Sequence, residues 1–180
     1  MTTQYYTATS LDGYLADAEN SLDWLLQFGD GSGDAYEQFI ADVGAVVMGS
    51  TTYEWILNQQ VLEDPDHPTA WVYLQPTWVF SSREQRVVEG ADIRFVRGDV
   101  AAVHADMAAV AVGKNIWIVG GGDLAGQFHD RGLLDELIIW VAPVTLGSGA
   151  PLLPRSIVTP PMTLTSVSME GPFAQLRYAV

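Results

Sequence analysis

The sequence predicts an α/β fold built on a largely parallel sheet. Short, wholly apolar runs such as Ala45–Met48 and Ile116–Val119 recur along the chain, as in strands buried on both faces. Segments with apolar residues at helical spacing lie between them, so strands and helices alternate. The last two strand-like segments follow one another directly across Glu170-Gly171-Pro172, which adds an antiparallel hairpin.

Each element has its own signal. Gln4–Thr9 reads as a strand ended by the Asp12-Gly13 turn. Leu22–Phe28 reads as a short helix with Leu22, Leu25 and Leu26 on its apolar side, and Asp30-Gly31-Ser32-Gly33 breaks it. Asp34 is suited to cap a helix running to about Asp42. After the strand Ala45–Met48, Thr51-x-x-Glu54 has the form of a capping box for a helix through about Leu57. Residues 58–76, with Pro65, Pro68 and Pro76, read as a surface loop. Strands follow at Thr77–Phe80 and Ile93–Val96, and Val100, Val103, Met107 and Val110 mark an amphipathic helix over 99–111. The strand Ile116–Val119 leads through glycines into a helix from Asp123 to about Arg131. Leu137–Ala142 is apolar throughout and expected in the sheet interior, and the hairpin strands span about 162–169 and 173–180.

No repeat or linker interrupts the 180 residues, so a single domain over 1–180 is expected. The net charge of −14 leaves no general means of holding a phosphate backbone, which argues against nucleic acid. That charge is uneven: residues 1–82 carry 12 acids and no Lys or Arg, and Arg83 is the first of the 8 bases. With no cysteine, disulfides, thiolate catalysis and Cys-type metal sites are excluded, and the cytoplasm is the expected compartment. The N-terminus has no signal-peptide pattern, and the longest uncharged run, Leu137–Pro154, is broken by prolines and glycines, so no membrane partner is expected. His67, His104 and His129 have no ligand spacing, and no metal is expected.

Four segments bear on chemistry. In Ile116-Trp117-Ile118-Val119-Gly120-Gly121-Gly122-Asp123-Leu124 a buried strand meets three glycines and then a helix. Glycines admit close approach to the backbone, and a helix N-terminus offers free N–H groups, which together suit a phosphate; the other reading is a tight turn. The spacing is neither G-x-G-x-x-G nor an NTPase loop. Val47-Met48-Gly49-Ser50-Thr51-Thr52-Tyr53 repeats the strand–glycine–helix plan with three hydroxyls, either as a second phosphate-facing turn or as capping by Thr51. Phe80-Ser81-Ser82-Arg83 ends a strand with two hydroxyls and a cation, and read alone is an ordinary polar strand end. Asp12, in Ser10-Leu11-Asp12-Gly13-Tyr14, suits a turn. Trp24, in an acidic segment, is the tryptophan best placed to line a pocket.

Taken in order, S-L-D-G-Y-L-A, V-V-M-G-S-T-T-Y-E, F-S-S-R and I-V-G-G-G-D-L-A-G followed by G-L-L-D-E-L and V-A-P-V-T-L-G-S-G-A-P-L-L-P resemble the dihydrofolate reductase-like superfamily. The glycine-to-D-E-L stretch is similar to the branch holding the reductase domain of the bifunctional riboflavin-biosynthesis deaminase-reductase. This resemblance implies a mixed eight-stranded sheet with helices on both faces, a homodimer, and an NADPH-dependent oxidoreductase. It implies that Gly120, Gly121, Gly122, Asp123, Leu124 and Gln127 hold the pyrophosphate region, and that Gly49, Ser50, Thr51 and Thr52 contact the cofactor. Ala8 would lie beside the nicotinamide, and Ser81 or Ser82 near the adenosine ribose. Where dihydrofolate reductases place a cation this chain has Ser50, so Arg83, with Arg86 near it, is expected to meet the 2′-phosphate. Where the riboflavin enzymes carry an acidic residue in the substrate pocket this chain has Val119.

The expected reaction is hydride transfer to a C=N or C=O of a small pterin- or pyrimidine-like heterocycle. Asp12, Asp23 and Asp34 are the candidate proton donors. The base-free first half favours a neutral or cationic substrate over a phosphorylated one. The alternative is a non-catalytic nucleotide-binding or scaffold protein that keeps the fold; a hydrolase has no nucleophile elbow to support it.

Overall fold

The computed structural model describes residues 1–29, 33–62 and 69–180. Strand β1 (Thr3–Thr9) is followed by the short β2 (Tyr14–Ala16) and by helices α1 (Asp23–Leu26) and α2 (Asp34–Ala41). Then come β3 (Val43–Gly49), α3 (Ser50–Ile56) with a π-helical turn at Leu57–Val61, β4 (Thr77–Phe80) and β5 (Ile93–Val96). Helix α4 (Val100–Ala111), β6 (Asn115–Gly120), α5 (Gly122–Asp130) and β7 (Glu136–Val141) continue the alternation. The chain ends with β8 (Ala150–Pro151) and the hairpin of β9 (Thr163–Glu170) and β10 (Phe173–Ala179).

Eight strands form one sheet in the order β5-β4-β3-β6-β1-β7-β10-β9. The six from β5 to β7 are parallel, and β10 pairs antiparallel with both β7 and β9. The mixed sheet expected from alternation and the terminal hairpin is therefore the one observed, with β7 in its interior. The chain steps outward from β3 to β4 and β5, then returns to insert β6 between β3 and β1. Such a reversal of strand order leaves a crevice at the carboxyl ends of the strands.

The continuous apolar runs reflect burial on both faces. Along β3, Ala45 and Val47 face a layer with Met107 of α4 and Phe128 of α5, while Val46 and Met48 face Tyr53 and Ile56 of α3. Fully burying a side chain of this size contributes roughly 1.5–3 kcal/mol, so these alternating contacts hold the helices to the sheet. On the α2/α3 side Tyr6 stacks on Phe39 at 4.2 Å, and Trp117 meets Phe39 edge-on at 5.3 Å.

Several local expectations are corrected. The helix expected over Leu22–Phe28 is a single turn, α1. Asp34 does not cap α2; Gly33 is the N-cap and Asp34 lies in the first turn. The capping box at Thr51 does not form either: α3 starts one residue earlier, at Ser50, with Gly49 as an N-cap that makes no side-chain bond. Glu54 instead receives Arg83 and Gln85; in the first turn Thr51 is exposed and Thr52 half-buried. Helix α5 likewise begins at Gly122 rather than Asp123. Strands β2 and β8 pair as a separate two-stranded sheet that no apolar periodicity announces, being three and two residues long. The breaker at Asp30-Gly31-Ser32 and the loop residues Pro65, His67 and Pro68 lie outside the described residues.

Candidate functional site

A cavity of about 550 Å³ opens at the carboxyl ends of the parallel strands. Its floor comes from Thr7 and Ala8 of β1, Gly49 of β3, Phe80 of β4, and Val119 and Gly120 of β6. Gly49 and Phe80 are register partners, so the ends of β3 and β4 lie side by side there. One wall carries Ser50, Thr51, Thr52, Trp55 and Ile56 of α3 with Gln60 and Tyr73. The opposite wall carries Gly121, Gly122, Asp123, Leu124 and Gln127 of the glycine turn and α5. Leu15, Ala16, Leu22, Leu25, Ala150, Pro151 and Pro154 close the rim.

The glycines divide the labour. A Cβ added at Gly121 would meet no atom within 4 Å, so its backbone faces open space in the cavity. At Gly120 (φ +157°) such a Cβ would lie 3.4 Å from the Thr52 hydroxyl, which brings the two glycine-ended strands to one point. Gly122 has the opposite role. A Cβ there would collide with the carbonyl oxygens of Pro151 and Leu152, so the β8 segment packs directly on the helix start. Gly149 similarly admits the carbonyl of Ala16.

Asp12 organises that rim from outside the cavity. It accepts the Ser10 hydroxyl at 2.6 Å and the backbone N–H groups of Leu146 and Gly147 at 3.0 and 2.7 Å, clamping the turn before β2 to the loop before β8. The Ser10 hydroxyl first, then these N–H groups, hold its carboxyl below the usual range. Asp123 is held low by Gln127 and by Arg155. The Arg155 guanidinium bonds Asp123 and Asp130 at 3.1 and 2.8 Å and lies against Gly126.

The cavity therefore gathers Ala8, Gly49, Ser50, Thr51, Thr52, Gly120, Gly121, Gly122, Asp123, Leu124, Gln127 and Val119 from the expected set. It does not gather Asp12, Asp23 or Asp34. It does not gather Trp24 either, because α1 sends Leu22 and Leu25, three apart, inward and leaves the indole off that line. Ser81, Ser82 and Arg83 lie just past Phe80 and outside the lining. Ser81 is spent locally, donating to the Arg83 carbonyl at 2.8 Å and accepting from Gln85 at 3.1 Å. Arg83 pairs with Glu54 at 2.9 Å. Arg97, from the end of β5, donates to the Ser81 carbonyl at 3.1 Å and joins this cationic edge.

The chain matches the RibD C-terminal domain over residues 2–172. It belongs to the RibD C-terminal domain family. It is 34% identical over 98% of its length to the uncharacterised protein YwjB of Bacillus subtilis, covering 96% of that protein. A candidate riboflavin biosynthesis protein from Shewanella sp. PV-4 superposes with a TM-score of 0.79 at 27% identity, covering 99% of this chain and 98% of that one. The bifunctional pyrimidine deaminase/reductase of Thermotoga maritima shares the fold, with a TM-score of 0.64 at 15% identity; 99% of this chain covers 56% of that one. The cavity thus lies at the carboxyl ends of a sheet with the RibD-type fold.

Within this RibD-type domain, Thr7, Trp55, Gln60, Tyr73 and Phe80 line the cavity without having been expected there. Trp55 and Phe80 directly adjoin expected motifs, which was the available signal. Gln60 and Tyr73 fall in the stretch read as a surface loop, where no periodicity marks an inward side chain. Among the described residues no group of three or more His, Asp or Glu is arranged to hold a metal, and no helix is long and apolar enough to cross a membrane.

Proposed function

We propose that the chain is an NADPH-dependent reductase that transfers a hydride to a C=O or C=N bond of a small, neutral, pyrimidine- or pterin-like heterocycle. One observation carries the reading: the open backbone of Gly121, following Gly120 with the Thr52 hydroxyl beside it, at the carboxyl end of a parallel sheet. That cradle fits the cofactor. A pyrophosphate can approach a backbone with no Cβ in the way and lie at the N-terminus of the nine-residue α5. Gly49, Ser50, Thr51, Thr52, Asp123, Leu124 and Gln127 would surround it, Ala8 would adjoin the nicotinamide, and Ser81, Ser82 and Arg83 would meet the adenosine end. When bound, the group supplies a hydride; the protein's part is to orient the acceptor and exclude competing water.

The substrate class follows from the remaining lining. Leu22, Leu25, Ile56 and Val119 are apolar, and no Lys or Arg lines the cavity among the described residues. A phosphorylated acceptor would find no countercharge there, whereas a flat neutral ring would find apolar walls with Gln60 and Tyr73 as polar contacts.

Quenching of tryptophan fluorescence by NADPH tests the first half. Gly121→Ala is expected to fold normally, since its φ of −82° suits any residue, and to weaken NADPH binding by about tenfold or more as the new methyl enters the cradle. Unchanged affinity would remove the glycine cradle from the cofactor site. NADPH consumption with a panel of pterins, quinones and cyclic imines tests the second half. Binding without consumption would instead mark a nucleotide-binding protein that keeps the fold.

A further inference from the structure

Reduction of a carbonyl needs a proton as well as a hydride, and the three carboxylates expected to supply it lie outside the cavity. Among the described residues that line the cavity, the titratable side chains are Tyr73 and Asp123. Asp123 has no proton to give at neutral pH. Its carboxyl is bonded by Gln127 at 2.9 Å and Arg155 at 3.1 Å, which keep it ionised, and it stands on the glycine wall. Tyr73 stands on the opposite wall. Burial, with the Tyr36 phenol nearby, pushes its own phenol well above the ordinary range, so the O–H stays intact at neutral pH.

Sheet register and ring packing together place the Tyr73 ring. Gln4 of β1 is the partner of Trp117 of β6, and side chains alternate along β1, so Tyr6 and Ala8 point to the face that carries Trp117. The Tyr73 ring packs edge-on against Trp117 at 5.2 Å, and Tyr6, Trp117, Val119 and Tyr73 belong to one apolar cluster. Tyr73 thus borders the cavity on the side of Ala8, the position assigned above to the nicotinamide. It is braced by Trp71 at 5.7 Å, so its direction is set by packing and not by solvent.

We infer that Tyr73 is the proton donor of the reaction, delivering its phenolic hydrogen to the carbonyl oxygen of a neutral acceptor; this rests on the reductase reading. In the balanced step the cofactor, when bound, would supply a hydride to the acceptor's carbonyl carbon and be oxidised by two electrons. The C=O π pair moves to oxygen, and that oxygen takes the Tyr73 proton as the phenolic O–H breaks. The phenolate then recovers a proton from water at the cavity mouth. Before transfer the same O–H donates a hydrogen bond to the carbonyl, which orients the acceptor.

The test uses phenanthrenequinone, a neutral diketone, as the probe. In cofactor-free protein, the infrared C=O stretch of the bound probe should lie lower in the wild type than in Tyr73→Phe, because the phenolic hydrogen bond is lost. With NADPH present, Tyr73→Phe should lower turnover by about 10²-fold or more while leaving NADPH quenching unchanged. Tyr178→Phe, a phenol packed against the core on the opposite face of the sheet and outside the cavity lining, should retain wild-type turnover and the wild-type band. A wild type that turns over together with a Tyr73→Phe variant of equal rate and equal C=O frequency would overturn the assignment alone. A wild type that consumes no NADPH with any acceptor of the panel would overturn the reductase reading and this assignment with it.

Discussion

His104 hydrogen-bonds the Thr3 hydroxyl at 2.9 Å, and burial lowers its pKa although the Asp135 carboxylate acts in the opposite sense. The neutral ring is thus the folded form. Because the folded pKa lies below the unfolded value of about 6.5, the unfolded chain binds more protons between the two, and stability rises with pH there. The contribution is complete above the unfolded pKa and is lost as pH falls through the folded one. Urea midpoints should therefore decline as pH falls through and below about 6.5, and His104→Gln should flatten that decline. An unaltered slope in the variant would assign the effect elsewhere. Asp12 shows the same kind of local control. Its residue type and its neighbour Gly13 were sufficient to suggest a turn, but the N–H donors that fill its carboxylate come from Leu146 and Gly147, far along the chain.

Between elements, the contact that shapes the cavity is the one between β8 and the start of α5. Neither has a side chain at the junction: Gly122 admits the Pro151 and Leu152 carbonyls, and the Tyr5 hydroxyl donates to the Leu152 carbonyl at 3.0 Å from beneath. Gly122→Ala should therefore destabilise the protein by about 2 kcal/mol or more, because backbone must move to accept the methyl. Gly121→Ala, one residue away and facing open space, should leave the melting temperature nearly unchanged. Equal melting temperatures for the two variants would contradict this division of roles. The strand–glycine–helix pattern at Gly49 and at Gly120–Gly122 could be read from residues alone, since a buried run followed by glycines has few other solutions. That no hydroxyl caps α3 could not, because Glu54 is drawn away by Arg83 and Gln85, which follow β4.

At the scale of the molecule, charge and shape divide along the sheet. Arg83, Arg94 and Arg97 cluster around β4 and β5 at one edge, where Arg94 covers the Trp78 ring at 4.5 Å. The other edge is β9. All eight of its residues are exposed, with Leu164, Val167 and Met169 at 50%, 61% and 86%, and it has no Lys, Arg or Pro to blunt it. Edges of this length and character are ordinarily covered. We expect a second copy of the chain to cover it, so light scattering should give twice the chain mass, and Val167→Lys should shift the protein to the monomer. A wild type that is monomeric at high concentration would refute the pairing.

Periodicity and turn chemistry act over a few residues, and for that reason they were enough to define a mixed, mostly parallel sheet, its terminal hairpin and two strand–glycine–helix turns. The same local terms are silent about which side chains meet across the strand ends. That depends on β6 inserting between β3 and β1, on loops that fold back over the crevice, and on burial, which together bring Tyr73 to the cavity and keep Asp12, Asp23, Asp34 and Trp24 away from it. Contacts between residues distant along the chain decide the lining, and those contacts exist only once the sheet has closed.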